Sequence, residues 1–346
     1  MNMLTAADLP ERFATVPELE EFMTRPSEPL VEDLLATPGD IIILGVAGKM
    51  GPTLARLARN AAPGRRVIGV SRFTDGTLPQ RLREHGVETI SCDLFDERAV
   101  SALPRAPNVI FMAGRKFGAA GEPPLTWAMN TYVPTIVARH FRDSRIVAFS
   151  TGNIYPLVDV LRQGADETTP PAAIGEYAQS CLGRERMFEH FSEQYATPGR
   201  IFRLNYAIDT RYGVLFDIAS KVQAGAAVDV TMGHVNVIWQ GDANALALRC
   251  LRHVTTPTTP INVSGPETLS VRWLAQEFAA RFDRPANVTG TEAPTAWLTN
   301  TAQANKLFGY PVVPVARMID WVADWVARGQ PSLGKPTKFE VRSGDF

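Results

Sequence analysis

The chain has 346 residues, with 35 Lys and Arg against 36 Asp and Glu and a net charge of −1. That length carries one large domain or two lobes with a sizeable core, and so balanced a charge argues against nucleic acid or an anionic membrane as partner. Three cysteines at 92, 181 and 250 form no CxxC pair, five histidines show no metal-ligand spacing, and no apolar run approaches a membrane span.

The first 38 residues hold two short acidic helical patterns, at 17–23 and 30–35, interrupted by Pro26, Pro29 and Pro38. They are expected to pack on the outside of the domain that follows. Residues 1–40 join no basic n-region to an apolar core, so a cytoplasmic protein is expected.

Ile41-Ile42-Ile43-Leu44 then runs into a turn with glycine at 45, 48 and 51, and a helical face of Leu54, Leu57, Ala58 and Ala61 follows at once. Strand, tight turn and helix in this order open a dinucleotide-binding βαβ unit. The first glycine permits the turn, the second admits a pyrophosphate to the backbone, and the third packs helix on strand. The helix N-terminus adds unpaired N–H groups and partial positive charge. Gly45, Gly48, Lys49, Met50 and Gly51 are therefore candidate cofactor contacts.

The second strand, 66–70, ends in Ser71-Arg72, about 20 residues past the glycine turn, where the cofactor ribose is read. A carboxylate there would suit NAD. A serine beside a guanidinium suits a 2′-phosphate, so NADP is expected over NAD, with Lys49 as a second candidate cation. A third strand, 87–93, delivers Asp93 and Leu94; Asp93 either bonds the adenine amino group or caps the next helix. The fourth, 108–114, ends in Ala113 and Gly114, small enough to let the cofactor backbone lie close. The basic loop Arg115-Lys116-Phe117-Gly118 follows at the carboxyl edge of the sheet, where ligands of open α/β sheets bind.

A helix from Trp127 to about 141 comes next, then a fifth strand, 145–149, running into Ser150-Thr151-Gly152-Asn153-Ile154-Tyr155. Tyr177 precedes a helix expected over 182–191, and a sixth strand covers 201–204. Strands alternating with helices imply a parallel, doubly wound α/β sheet. Beyond about 206 shorter elements mix: helices at 214–224, 242–252, 271–282 and 318–326, strands at 228–231 and 260–264. The expected division is a helical extension over 1–38, a dinucleotide-binding domain over 39–205, and mainly a substrate-binding lobe over 206–346. Part of 236–255 is expected to pack back on the dinucleotide-binding domain, and the tail from Gln330 to be loop.

In its order of signals the chain resembles the extended short-chain dehydrogenase/reductase family, the NAD(P)-dependent sugar epimerases and dehydratases, across roughly 40–328. The resemblance rests on the GxxGxxG turn, Met112-Ala113-Gly114, Asn130, Ser150-Thr151 with Ile154-Tyr155, Tyr177, Asn262-Val263-Ser264-Gly265 and Leu307-Phe308-Gly309-Tyr310-Pro311. It implies a Rossmann-type doubly wound parallel sheet with a smaller C-terminal α+β substrate lobe and a bound NAD(P). It also implies that Thr151 and Tyr177 polarise a substrate hydroxyl or carbonyl, with Asn153 orienting the substrate.

Three departures from the family pattern narrow the expectation. Cys181 stands where Tyr-x-x-x-Lys has its lysine, removing the charge that lowers the tyrosine pKa; Lys116 is the candidate replacement. Gly152-Asn153 stand where the dehydratases carry Asp-Glu, and 233–240 lacks the arginine that clamps a sugar-nucleotide diphosphate. The expected substrate is a small molecule, a polyol, sugar acid or lactone, with Arg211 available to an anionic group. The expected reaction is hydride transfer at a secondary hydroxyl or ketone. A non-catalytic NAD(P)-binding sensor or scaffold is the alternative, and a homodimer is left open.

Overall fold

The structure, a computed structural model, describes residues 3–116 and 121–344. Phe117 and Gly118 of the basic loop lie outside the described residues.

Two helices, α1 (Val16–Met23) and α2 (Glu28–Leu35), precede the sheet. Strands of the central sheet are numbered β1 to β7. The first half runs β1 (Ile41–Leu44), α3 (Gly51–Ala61), β2 (Val67–Ser71), α4 (Leu78–Glu84), β3 (Glu88–Ser91), α5 (Glu97–Ser101) and β4 (Asn108–Phe111). It continues with α6 (Pro123–Trp127), α7 (Val133–His140), β5 (Arg145–Thr151), α8 (Gly175–Tyr195) and β6 (Gly199–Leu204). The remainder holds α9 (Val214–Gln223), α10 (Gln240–Arg249), β7 (Thr259–Val263), α11 (Val271–Phe282), α12 (Ala302–Phe308) and α13 (Val315–Ala327).

The seven strands are all parallel, in the order β7-β6-β5-β4-β1-β2-β3. The chain reverses direction across the sheet between β1 and β4, which opens the crevice in which such sheets bind ligands. The unbroken apolar run of β1 follows from burial on both faces. Ile41 and Ile43 join the core under α2, α3 and α10, whereas Ile42 and Leu44 join the core under α5, α7 and α8.

Several expected elements differ in extent. The strand at 260–264 is β7, and it pairs with β6 as the edge of the central sheet, so the sheet draws on chain well beyond 206. α10 packs on α2 and α3, on the dinucleotide-binding side. α8 starts at Gly175 rather than 182, which places Tyr177 in its first turn. Gly, Ser and Cys lower helix propensity over this stretch, and packing of α8 on β5 and α7 overrides it.

The helix expected from Trp127 begins at Pro123 and carries a π-helical stretch, Ala128–Tyr132, in its middle. Pro134 has no N–H to return to the carbonyl four residues back, which favours the widened turn. Asn130 sits in that stretch and hydrogen-bonds the backbone of Arg115 through both Oδ1 and Nδ2.

The second lobe is built from α9, α11 and α13, which pack on one another. The N-terminal extension joins both halves. Leu30 and Leu34 of α2 enter the core beside α3, as expected, but Phe13, Leu19, Phe22 and Met23 enter the core of the second lobe. There Phe13 lies 4.8 Å from Trp321 between ring centroids, and the Trp321 indole N–H donates to the Pro10 carbonyl at 2.8 Å. Asp33 is held by Arg249 at 2.6 Å and Arg252 at 3.0 Å.

The tail after α13 is loop, as expected, yet it is anchored. Leu333 N–H donates to the Arg211 carbonyl at 3.1 Å, Thr337 N–H donates to the Asp217 carboxylate at 2.8 Å, and the Phe339 ring is fully buried. Gly344 then packs against the backbone of Gly175, at the start of α8. The tail therefore crosses the mouth of the crevice.

Candidate active site

The glycine turn has the form a dinucleotide requires. Gly45 has a φ of +91°, where L side chains are strained, and a Cβ there would press on the Ala113 backbone. At Gly51 a Cβ would collide with the Val46 carbonyl, so close packing of α3 on β1 demands glycine. Gly48 is the reverse case: a Cβ would meet only the Gly45 carbonyl oxygen at 3.4 Å, so what glycine keeps clear there is open space on the ligand side. No side chain caps α3; Gly51 N–H closes the turn on the Gly48 carbonyl at 3.2 Å and Pro52 has no N–H, so Thr53 is the residue of the first turn whose N–H is left for an anion. These residues fit a pyrophosphate.

Ser71 ends β2 and Arg72 is exposed beside it, with no hydrogen bond or ion pair among the described residues. Asp93 is exposed at the end of β3; its carboxylate accepts from Phe95 N–H at 3.1 Å, while Asp96 is the residue that caps α5. Leu94 and Ala113 are buried, and Met50 packs at the head of α3. Lys49 turns away from this end. Its ammonium donates to the Ala207 carbonyl at 3.0 Å and lies 3.9 Å from the centroid of the Tyr212 ring, so its expected contact with a 2′-phosphate is corrected.

Next to the glycine turn, a cleft of about 330 Å³ lies over the carboxyl ends of β1, β4, β5 and β6. Thr151 and Asn153 line it after β5, Tyr177 and Arg184 line it from α8, and Tyr206 and Tyr212 line it after β6. Lys335 and Thr337 reach it from the tail. The Thr151 hydroxyl donates to Asn153 Oδ1 at 2.9 Å and accepts from Asn153 N–H at 3.2 Å. The Tyr177 ring packs beside Cys181 and lines the cleft together with Thr151, so the two hydroxyl residues named from sequence share one site. Burial, and then the Cys181 sulfur, hold the phenol well above its usual pKa. The phenol therefore keeps its proton at neutral pH.

Cys181 is fully buried among Ile154, Tyr155 and Ala165, and burial pushes its thiol up, so it supplies no charge of its own. The Lys116 ammonium lies 5.7 Å from the centroid of the Tyr177 ring. Burial lowers it to about 8, opposed by Cys181 and Asp217. A second cation escaped sequence reasoning. Arg184, seven residues past Tyr177 and so two turns along the same helix face, donates to the Phe149 carbonyl at 2.8 Å and to Asn130 Oδ1 at 2.5 Å. Its guanidinium fills the space a side chain at Gly114 would need. The i+7 spacing from Tyr177 is the signal that could have found it.

Beneath the cleft runs a buried polar chain. Ser150 donates to Glu185 at 2.5 Å, Arg203 pairs with Glu185 at 2.7 Å and donates to the Tyr155 hydroxyl at 2.6 Å, and that hydroxyl donates to Asn262 at 2.9 Å. It ties β5, α8, β6 and β7 together. Arg211, a candidate for a substrate anion, is corrected. It is buried between Asp209 at 2.9 Å and Glu20 at 3.0 Å and does not line the cleft. Among the described residues no cluster of His, Cys, Asp and Glu could hold a metal ion, and no helix is long and apolar enough to cross a membrane.

A parallel sheet in this order, with a glycine turn beside its topological switch point, defines a Rossmann-type NAD(P)-binding protein. The chain belongs to the NAD dependent epimerase/dehydratase family, whose model matches residues 41–233. Membership makes it an NAD(P)-dependent enzyme of the epimerase/dehydratase type. Solved structures share the fold. UDP-glucose 4-epimerase from Thermotoga maritima, solved with UDP-glucose, is 15% identical with a TM-score of 0.69, covering 84% of this chain and 99% of its own. DesIV, a dTDP-glucose 4,6-dehydratase from Streptomyces venezuelae solved with NAD and TYD, is 15% identical with a TM-score of 0.71, covering 84% and 97%. Pal from Bacillus thuringiensis is 14% identical with a TM-score of 0.70, covering 84% and 100%. No curated protein matches the chain.

Proposed function

We propose that the protein catalyses reversible hydride transfer at a secondary hydroxyl or ketone of a small sugar-like substrate, with NADP as its preferred cofactor. The observation that carries this reading is the Lys116 ammonium 5.7 Å from the Tyr177 ring, in the cleft that Thr151 also lines. It supports a rebuilt catalytic group in which the cation missing at 181 comes from the loop after β4. The nicotinamide, when bound, supplies or accepts the hydride. Thr151 and Tyr177 hold the reacting oxygen, and Tyr177 donates a proton to it in the reducing direction. Lys116 stabilises the phenolate left behind. Asn153, bonded to Thr151, fixes the threonine hydroxyl and faces the substrate.

A polyol, sugar acid or lactone suits the site better than a sugar nucleotide. The stretch 233–240 brings no arginine to the cleft; Asn236 in it is bound to Thr299 N–H at 2.8 Å and Trp239 is buried. The absence of a carboxylate at Ser71-Arg72 favours NADP. Turnover of a polyol, sugar-acid and lactone panel with NADP and NAD is the test, read by cofactor absorbance. Tight cofactor binding with no turnover on any member would favour a sensor or scaffold instead, and saturable turnover of UDP- or dTDP-sugars would overturn the substrate class.

A further inference from the structure

Among the described residues five cations line the cleft, Lys49, Arg115, Lys116, Arg184 and Lys335, and no carboxylate does. Arg184 is engaged by Phe149 and Asn130, Arg115 by Glu122, and Lys116 stands at Tyr177. Lys49 and Lys335 belong to a different wall, formed by the segment after β6 and by the tail. Tyr206 lines the same wall. Its φ of 44° is costly for so large a side chain, and its hydroxyl, shielded from solvent, has no hydrogen-bond partner among the described residues. The acids nearby have partners of their own: Asp209 pairs with Arg211, Asp217 accepts from Thr337, and Glu340, whose charge reaches Tyr206, pairs with Lys221.

We propose that Lys49, Lys335 and the Tyr206 hydroxyl form an anion-binding subsite. It holds a carboxylate or phosphate of the substrate while the reacting hydroxyl or ketone sits at Thr151 and Tyr177. The reacting end rests on the function proposed above, whereas the subsite is read from binding alone. Lys49 is half-buried and Lys335 exposed, the charge of each disfavours that of the other, and a bound anion removes that repulsion. Burial lowers Lys49 to about 7, with Asp209 opposing and Lys116, Arg211 and Lys335 adding to the fall. The turn carrying Lys335 is pinned on either side, by Leu333 to Arg211 and by Thr337 to Asp217, so the lysine is delivered by a held segment.

The test is competitive acetylation of the full chain, saturated with NADP so that the cofactor's own phosphate sites are filled. Peptide mass spectrometry reads Lys49 and Lys335, with exposed Lys306 as reference. The probes are inorganic phosphate, D-gluconate, D-glucose 6-phosphate and neutral sorbitol. Protection scales as one plus ligand concentration over Kd, so a probe at about ten times its Kd slows labelling about tenfold. At least one anion should slow Lys49 and Lys335 by about threefold or more relative to Lys306, with sorbitol inert. Protection by gluconate alone marks a sugar acid; protection by the phosphates alone marks a phosphate ester. Tyr206→Phe and Lys335→Met should each weaken protection of Lys49 by about threefold or more. Equal labelling with and without every anion, or equal protection by sorbitol, would overturn the subsite. Protection without turnover would leave the subsite standing and remove the proposed reaction; turnover of neutral polyols without protection would do the opposite.

Discussion

Lys116→Met removes the charge beside Tyr177 and keeps most of the side-chain volume. With the observed 5.7 Å, measured to the ring centroid, as the scale of the separation, a unit charge at an effective dielectric of about 20 is worth about 3 kcal/mol, or about two pKa units on the phenol. Each 1.4 kcal/mol or so of barrier is a factor of ten in rate, so kcat should fall about 10- to 100-fold. The NADP dissociation constant, measured by calorimetry, should change by less than about twofold, because the pyrophosphate is expected at the glycine turn. The pH profile adds a readout that a structural role would not move. The Lys116 ammonium, lowered to about 8 by burial, is charged below that pH and loses its charge above it. Wild-type reduction should therefore decline as pH rises through about 8. Lys116→Met should lose that limb, and Lys116→Arg should shift it upward while retaining part of kcat. Unchanged kcat in Lys116→Met, or an alkaline limb that survives it, would refute the reasoning.

Arg72→Ala should weaken NADP binding by about 1.5–3 kcal/mol, the worth of hydrogen bonds to a charged group, and leave NAD nearly untouched; tighter NAD than NADP binding by the wild type would end that assignment. Cys181→Lys, which restores the family pattern on paper, should destabilise the fold by at least about 3 kcal/mol and recover no activity, because it puts another cation into a closed corner beside Arg184 and Lys116; thermal melting checks it, with Cys181→Ala as the milder comparison. Asp242 is buried, accepts from Val313 N–H at 3.0 Å, and is pushed by burial to about 6 from 3.8, so the fold loses stability as pH rises through that window. Asp242→Asn should thus be more stable by about 1–3 kcal/mol near pH 7.5, and urea denaturation should show the gap closing toward pH 4.

The parts legible in sequence are those fixed by local chemistry. The run Ile41 to Leu44 with three spaced glycines announces strand, turn and helix because each residue type answers a steric demand inside fifteen residues or so. Thr151 and Tyr177 could be named because the resemblance carried their order, and they do meet in one cleft. What stayed hidden depends on pairing across the chain. β7 reads like any short strand, and nothing local says that it adds to β6 rather than to the second lobe. Lys49 sits inside the glycine turn, yet its direction is decided by Ala207 and Tyr212, more than 150 residues away. Arg211 looked available after the sixth strand because its partner Glu20 comes from the N-terminal extension. The tail carried no periodicity at all, and its role rests on a single buried ring, Phe339, and a few polar contacts.

The two walls of the cleft are unequal in how they are held. Tyr177 rides on a helix locked to the sheet by the Glu185–Arg203 pair, whose side chains are 0% and 4% exposed, and by the hydroxyls of Ser150 and Tyr155. Lys335 rides on a strand of loop pinned at a few points. Sequence drift in that loop can alter its length, charge and curvature without disturbing the packed interior, whereas drift in the helix cannot. Relatives sharing the reacting wall should therefore diverge first in what they accept, and last in what they do to it.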